Sequence, residues 1–193
     1  MAEDAELVET FGAVTQALAQ ANVDAAFIGA IAVIAWSRVR TTTDVDLVIS
    51  ASPADLERLR PCLERLGFTV GAPVTSEPAE AVPDISVFWS GHRPSVRVDV
   101  FHAKTDFERE ALRLAVPAEV AGQRVRVATA EAVIVYKVLA SRAKDELDLR
   151  AVFEAAVASK RVLDWASIDR WCGEWGIAEK LAPWRHEFKA ATS

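Results

Sequence analysis

Two aspartates one residue apart, in the stretch FIGAIAVIAWSRVRTTTDVDLVI at residues 27–49, constrain this chain more than any other feature. Asp44 and Asp46 lead into Leu47, Val48 and Ile49, so residues 43–50 read as a strand with Val45, Leu47 and Ile49 on one face. Residues i and i+2 of a strand share a face, which sets the two carboxylates side by side, about 7 Å apart at Cα. Two anions on a strand that is otherwise apolar are costly unless they meet a cation or water. Paired hard oxygen donors suit Mg²⁺, which takes carboxylates, water and substrate phosphates as ligands. A solvated edge or turn is the other reading that a D-x-D pattern alone allows.

The residues before this pair supply a second element of a site. Residues 23–28 are strand-like and end at Gly29, residues 30–36 continue apolar without alternation as a buried helix would, and 37–43 form a polar turn. A glycine at a strand-to-helix turn lets a phosphate approach the backbone, where free N–H groups and the helix dipole favour an anion. Farther on, residues 95–101 alternate Arg97, Asp99 and Phe101 against Val96, Val98 and Val100, which puts Asp99 on the more polar face. Asp44, Asp46 and Asp99 on neighbouring strands could hold two Mg²⁺ ions about 3.5–4 Å apart. Asp99 is then the third ligand, or the base that takes a proton from an acceptor hydroxyl.

The rest of the chain reads as strands mixed with helices, followed by a purely helical tail. Leu7, Phe11, Val14 and Leu18 mark a first helix over 5–21, and Leu56, Leu59, Leu63 and Leu66 mark another that opens at Ser52-Pro53 and stops at Gly67. Short strands are expected at 68–70, 85–89, 95–101 and 124–127, with a hairpin-like connection at 91–94 and a surface loop at 71–84 that holds Pro73, Pro78 and Pro83. A helix is expected over 106–114, and Thr129 caps one that buries Ala132, Val133, Tyr136, Leu139 and Ala140. Trp165, Trp171, Trp175 and Trp184 supply bulky core to the tail. This pattern defines an α/β (α+β) fold with a core at 1–128 and a C-terminal helical subdomain at 129–193.

Composition narrows the function. The chain has 193 residues and a formal net charge of −6, so a broad nucleic-acid-binding surface is not expected. The acidic start MAEDAELVE is unlike a signal peptide, and no apolar run is long enough for a membrane span, which points to a cytoplasmic protein. Cys62 and Cys172 lie far apart and read as reduced core thiols, and His92, His102 and His186 make no zinc spacing with them.

A second constellation is YKVLASRAKDELDLRAV, residues 136–152. Read as one helix, it places Lys137, Ser141, Lys144 and Asp148 on a single stripe that could reach a triphosphate, or on a solvated face held by pairs such as Lys144 with Asp148. Arg38 and Arg40 precede the aspartates as phosphate clamps or as surface charges.

Together, Gly29, Asp44-x-Asp46 and Asp99 resemble the signature of the nucleotidyltransferase superfamily, the polymerase-beta-like fold. Residues 27–49, with their Arg-x-Thr-x-x-Asp-x-Asp-like approach to the strand, look most like the AbiEii-like and related minimal bacterial nucleotidyltransferases, as do Lys137, Lys144, Asp145 and Asp148 on the later helix. The resemblance covers roughly residues 5–150, and Ala30 departs from it where the family usually has Gly or Ser. It implies a mixed sheet flanked by helices, a nucleoside triphosphate (NTP, with ATP as one candidate) as substrate and Mg²⁺ as cofactor. It also implies metal binding by Asp44, Asp46 and Asp99, with Gly29, Ala30, Arg40, Thr43, Lys137, Lys144 and Asp148 around the nucleotide. The acceptor would be a hydroxyl of RNA such as a tRNA end, of a protein or of a small molecule, with a cognate toxin or antitoxin as a partner. A non-catalytic, nucleotide-sensing or protein-binding member of the same fold is the alternative.

Overall fold

The computed structural model describes residues 2–37, 42–77, 81–91 and 95–193. In chain order the elements are α1 (Ala2–Ala21), β1 (Ala25–Phe27), α2 (Gly29–Trp36), β2 (Asp44–Ser50), α3 (Pro53–Arg65), β3 (Phe68–Val70), β4 (Ile85–Ser90), β5 (Arg97–Ala103) and α4 (Asp106–Leu114). They continue with β6 (Val116–Val120), β7 (Gln123–Val127), α5 (Ala130–Ala140), α6 (Ala143–Ala158), α7 (Trp165–Glu174) and α8 (Ala178–Phe188). The strands form one seven-stranded mixed sheet in the order β3-β4-β5-β2-β1-β7-β6. β2 runs parallel to β5 and β1 parallel to β7, while the other neighbours are antiparallel.

Local sequence explains most of these elements. The α1 stripe of Phe11, Val14 and Leu18 is buried, and α1 packs against α3, whose Leu59 and Leu63 are buried in turn. The start of α4 is fixed by a reciprocal cap, in which Glu108 N–H donates to Thr105 Oγ1 at 3.2 Å and Thr105 N–H donates to Glu108 Oε2 at 2.9 Å. Thr129 Oγ1 accepts from Ala132 N–H and opens α5. The central strand β2 buries Val45, Leu47, Val48 and Ile49 completely.

Three features depart from the sequence expectations. β6 occupies residues where no strand is expected, because its exposure alternates and Pro117 masks an edge strand that pairs with β7 alone. The stretch 136–152 is not one helix. Ser141 adopts a left-handed backbone (φ 50°), its N–H closes α5 on the Lys137 carbonyl, and α6 restarts at Ala143. The stripe that a continuous helix would have made therefore does not exist. The same break leaves Leu139 and Ala140 exposed rather than buried, since α5 ends before its last turn can pack.

The helical tail carries its own apolar centre. Phe153 is fully buried and lies nearly parallel to Phe188 at 4.9 Å and to Trp165 at 5.6 Å, with Trp184 beyond at 5.9 Å. Trp165 Nε1–H donates to the buried Thr192 hydroxyl at 2.9 Å, which ties the end of the chain to this cluster. Cys62 and Cys172 are both free and buried. Among the described residues no helix is long and apolar enough to cross a membrane.

Removing the Phe153 ring leaves a cavity among these aromatics, and a loss of about 3–5 kcal/mol is expected for Phe153→Ala. Urea denaturation measures it; a loss under about 1 kcal/mol would mean that this cluster does not anchor the tail.

Candidate active site

The register of β2 with β5 builds the site. Asp44 lies beside Arg97 and Asp46 beside Asp99, and partners across a parallel ladder face the same side, so three carboxylates and one guanidinium share one face of the sheet. They floor a cleft of about 380 Å³. Ile28, Gly29 and Ala30 at the start of α2 line it, as do Thr42, Ile85 and Phe101, while Tyr136, Lys137, Leu139, Arg142, Lys144 and Asp145 form the wall contributed by α5 and α6.

Gly29 is required by its neighbour. Its φ is +54°, and a Cβ there would stand 2.0 Å from Asp46 Oδ2, so only glycine lets the Asp46 carboxylate lie against the turn. The expected close approach is thus made by a carboxylate of the chain itself. Ile28, at the helix N-cap, has no side-chain capping bond, so the first N–H groups of α2 keep their bonding capacity toward the cleft.

The charges explain the protonation behaviour. Burial, reinforced by the negative charges of Asp99 and Asp44, pushes the Asp46 carboxyl up from 3.8 to about 6, against the opposing pull of Lys137 and Arg97. Asp99 is also raised by burial, although Arg97 Nη2 donates to its Oδ2 at 2.5 Å. Its Oδ1 is buried, with no hydrogen-bond partner among the described residues.

On the facing wall, Lys137 is 5% exposed and lies between Asp145 Oδ1 at 2.8 Å and Asp148 Oδ2 at 2.7 Å. Burial would raise the Asp145 carboxyl, but hydrogen bonds from Arg142 and Lys137 outweigh it and hold the group at about 2. Arg142 Nε donates to Asp145 Oδ2 at 2.6 Å, so Asp145 aligns both cations on the cleft wall.

Of the residues singled out from the sequence, Gly29, Ala30, Asp44, Asp46, Asp99, Lys137 and Lys144 come together in the cleft. Asp148 sits behind Lys137 and does not line it, and Thr43 is exposed while its neighbour Thr42 takes the lining position. Arg38, Arg40 and His92 lie outside the described residues. His102 is buried on the opposite face, 3.3 Å from Ser86 Oγ. Arg97 and Arg142 were not expected. Arg97 was legible from its i, i+2 spacing to Asp99, but Arg142 enters the cleft only because the chain breaks at Ser141.

Among the described residues, no three Asp, Glu, His or Cys side chains are gathered closely enough to enclose a metal ion as they stand. The donor set nevertheless fits a divalent cation. Asp46 is driven toward protonation by burial and by the negative charges of Asp99 and Asp44, and the buried Asp99 Oδ1 has bonding capacity to spare.

A mixed sheet with a carboxylate floor opposite a helix N-terminus and a cationic wall is the architecture of a nucleotidyltransferase. The chain belongs to the family described as "Nucleotidyl transferase of unknown function (DUF2204)", whose sequence model matches residues 7–174. No curated protein matches the sequence. Solved structures share the fold. An antigenic nucleotidyltransferase-like protein from Paracoccidioides brasiliensis has a TM-score of 0.62 at 20% identity, over 97% of this chain and 92% of that one. The antibiotic-resistance factor ANT(2″)-Ia in solution has a TM-score of 0.55 at 20% identity, over 97% and 93%. Its crystal structure in complex with adenylyl-2″-tobramycin has a TM-score of 0.54 at 18% identity, over 97% and 99%.

The raised Asp46 has a consequence for stability. A carboxyl whose pKa is higher in the folded protein contributes stability below about 4, and that contribution is lost as pH rises through about 6. Without added metal, Asp46→Asn is therefore expected to be more stable than the unmutated protein at pH 7.5 by about 1–3 kcal/mol, with the difference shrinking toward pH 4. Urea denaturation across this range in EDTA checks it; a variant less stable at pH 7.5 would contradict the charge argument.

Proposed function

We propose that this protein transfers a nucleoside monophosphate from an NTP to an acceptor hydroxyl in a Mg²⁺-dependent reaction. The observation that carries the reading is the placement of Asp44, Asp46 and Asp99 on one face of β2 and β5, opposite the N-terminus of α2 and the Lys137–Arg142–Lys144 wall. Membership of a nucleotidyl transferase family supports it. Within that family, the Asp44-x-Asp46 approach and the Lys137, Lys144, Asp145 and Asp148 set favour a kinship with the AbiEii-like enzymes.

Asp44, Asp46 and Asp99 would hold two Mg²⁺ ions, which would supply positive charge to neutralise the triphosphate and to acidify the attacking hydroxyl. The N–H groups at the start of α2 meet the phosphates, with Ala30 offering backbone only. Arg142 and Lys144 supply charge from the wall, and Lys137, clasped by two carboxylates, keeps a fixed position behind them. The acceptor oxygen bonds to the α-phosphorus, the bond to the departing pyrophosphate breaks, and Asp99 takes the hydroxyl proton. The helical segment 129–193 acts as a subdomain that closes this wall over the core formed by 1–128.

The net charge of −6 and the modest cleft argue against a long RNA acceptor and favour a small molecule or a protein side chain. The adenylyl-2″-tobramycin complex of ANT(2″)-Ia provides the small-molecule precedent on this fold. A protein acceptor would accord with a toxin–antitoxin role in the cytoplasm. Two observations favour a non-catalytic, nucleotide-sensing reading: Asp99 is bonded to Arg97, and Ala30 brings no hydroxyl to the phosphates.

The test supplies Mg²⁺ and each α-labelled NTP, with and without cell extract, beside Asp44→Asn. Label on an acceptor with the unmutated protein, and at least about 100-fold less with Asp44→Asn, is expected from loss of a metal-binding carboxylate. Equal transfer by the variant would overturn the metal role of Asp44. No transfer, with an NTP-dependent rise in Tm, would establish the sensing module instead.

A further inference from the structure

Arg97 has no place yet in this scheme, although it touches the centre of it. The described cleft carries four carboxylates, Asp44, Asp46, Asp99 and Asp145, and four cations, Arg97, Lys137, Arg142 and Lys144. Lys137 and Arg142 are committed to Asp145, and Lys137 to Asp148 as well. Among the described residues, Arg97 is the cation that pairs with the floor, through Nη2 and Asp99 Oδ2 at 2.5 Å.

This pair is poorly made for a permanent structural contact. A guanidinium and a carboxylate can form two parallel bonds, yet here Arg97 Nε and Asp99 Oδ1 are both buried with no partner among the described residues. A buried polar atom left unbonded is costly, so the arrangement retains bonding capacity that a better partner can claim. The Asp99 side chain is 4% exposed and held in the sheet, whereas that of Arg97 is 43% exposed and stands beside Asp44 at the start of β5. The carboxylate is fixed. The arginine can turn.

We propose that Arg97 is an exchangeable counter-ion, holding Asp99 before metal and nucleotide load and then swinging from the carboxylate to the phosphates of the incoming NTP. The inference rests on the nucleotidyltransferase reading and gives Arg97 a positioning role within it. The exchange makes and breaks no covalent bond. Arg97 opposes the metal alone, because it competes for Asp99, and favours metal with nucleotide, because it gains a phosphate. It thereby couples the two ligands, and a metal ion without nucleotide binds weakly.

The test uses the full chain and measures Mn²⁺ binding by electron paramagnetic resonance, alone and with a non-hydrolysable ATP analogue. Arg97→Ala is expected to tighten Mn²⁺ alone by roughly tenfold and to weaken the analogue with Mn²⁺ by roughly tenfold, the scale of one charged hydrogen bond. Arg97→Lys, which keeps the charge, should restore part of the analogue affinity. Arg142→Gln is the comparison: it removes a cleft cation that is held by Asp145 and only feels Asp46 through space, and should weaken the analogue while tightening Mn²⁺ alone clearly less than Arg97→Ala does.

Unchanged or weaker Mn²⁺ binding in Arg97→Ala, with wild-type binding intact and Tm retained, would overturn the exchange and leave Arg97 a fixed structural partner. Equal tightening in Arg142→Gln would also overturn it, since the effect would then be one of general charge. Absence of both Mn²⁺ and analogue binding in the unmutated protein would instead refute the nucleotidyltransferase reading on which the inference depends.

Discussion

The parallel pairing of β2 with β5 is the constraint on which the site depends. It is in register from Asp44↔Arg97 to Ser50↔Ala103, and this register alone brings Asp46 beside Asp99. A slip of one residue would turn one strand's charges to the other face of the sheet, where Val45, Leu47, Ile49, Val98 and Val100 form the core. The apolar face therefore enforces the polar one. Burial energy spread over many side chains holds like charges together that would separate if left to themselves.

The cost of that proximity is offset in several places. Gly29 gives up its side chain so that the Asp46 carboxylate can lie on the turn. Arg97 neutralises Asp99, and Lys137 adds positive charge from α5 across the cleft. Lys137 is itself kept in place by Asp145 and Asp148, and Asp145 also orders Arg142. A site with alternating charges of this kind is preorganised for a ligand that is itself a cation–polyanion pair, as a metal–triphosphate is.

The central elements were legible because they rest on local rules. The i, i+2 spacing of Asp44 and Asp46, the glycine before an apolar helix, and the Thr105–Glu108 and Thr129 caps each leave a signature within a few residues. What could not be read depends on contacts far apart in sequence. Nothing in ASRAKDE marks a break, since Ser141 takes a left-handed conformation without a glycine, and Lys137 meets Asp145 and Asp148 across that break rather than along one helix. Leu139 and Ala140 were misplaced, and Arg142 was missed, for the same reason. β6 was hidden by Pro117 and by an exposure pattern with only Val120 fully buried. That Asp46 rather than a phosphate fills the space over Gly29 follows from the antiparallel pairing of β1 with β2, which carries no sequence mark.

The central claim is that Asp44, Asp46 and Asp99 hold metal and nucleotide together. The most direct measurement is anomalous scattering from crystals grown with Mn²⁺ and a non-hydrolysable NTP. The account expects anomalous peaks against Asp44 and Asp46, with the triphosphate over the N-terminus of α2. Nucleotide bound away from this cleft, or bound in it with no metal at the carboxylates, would contradict the account.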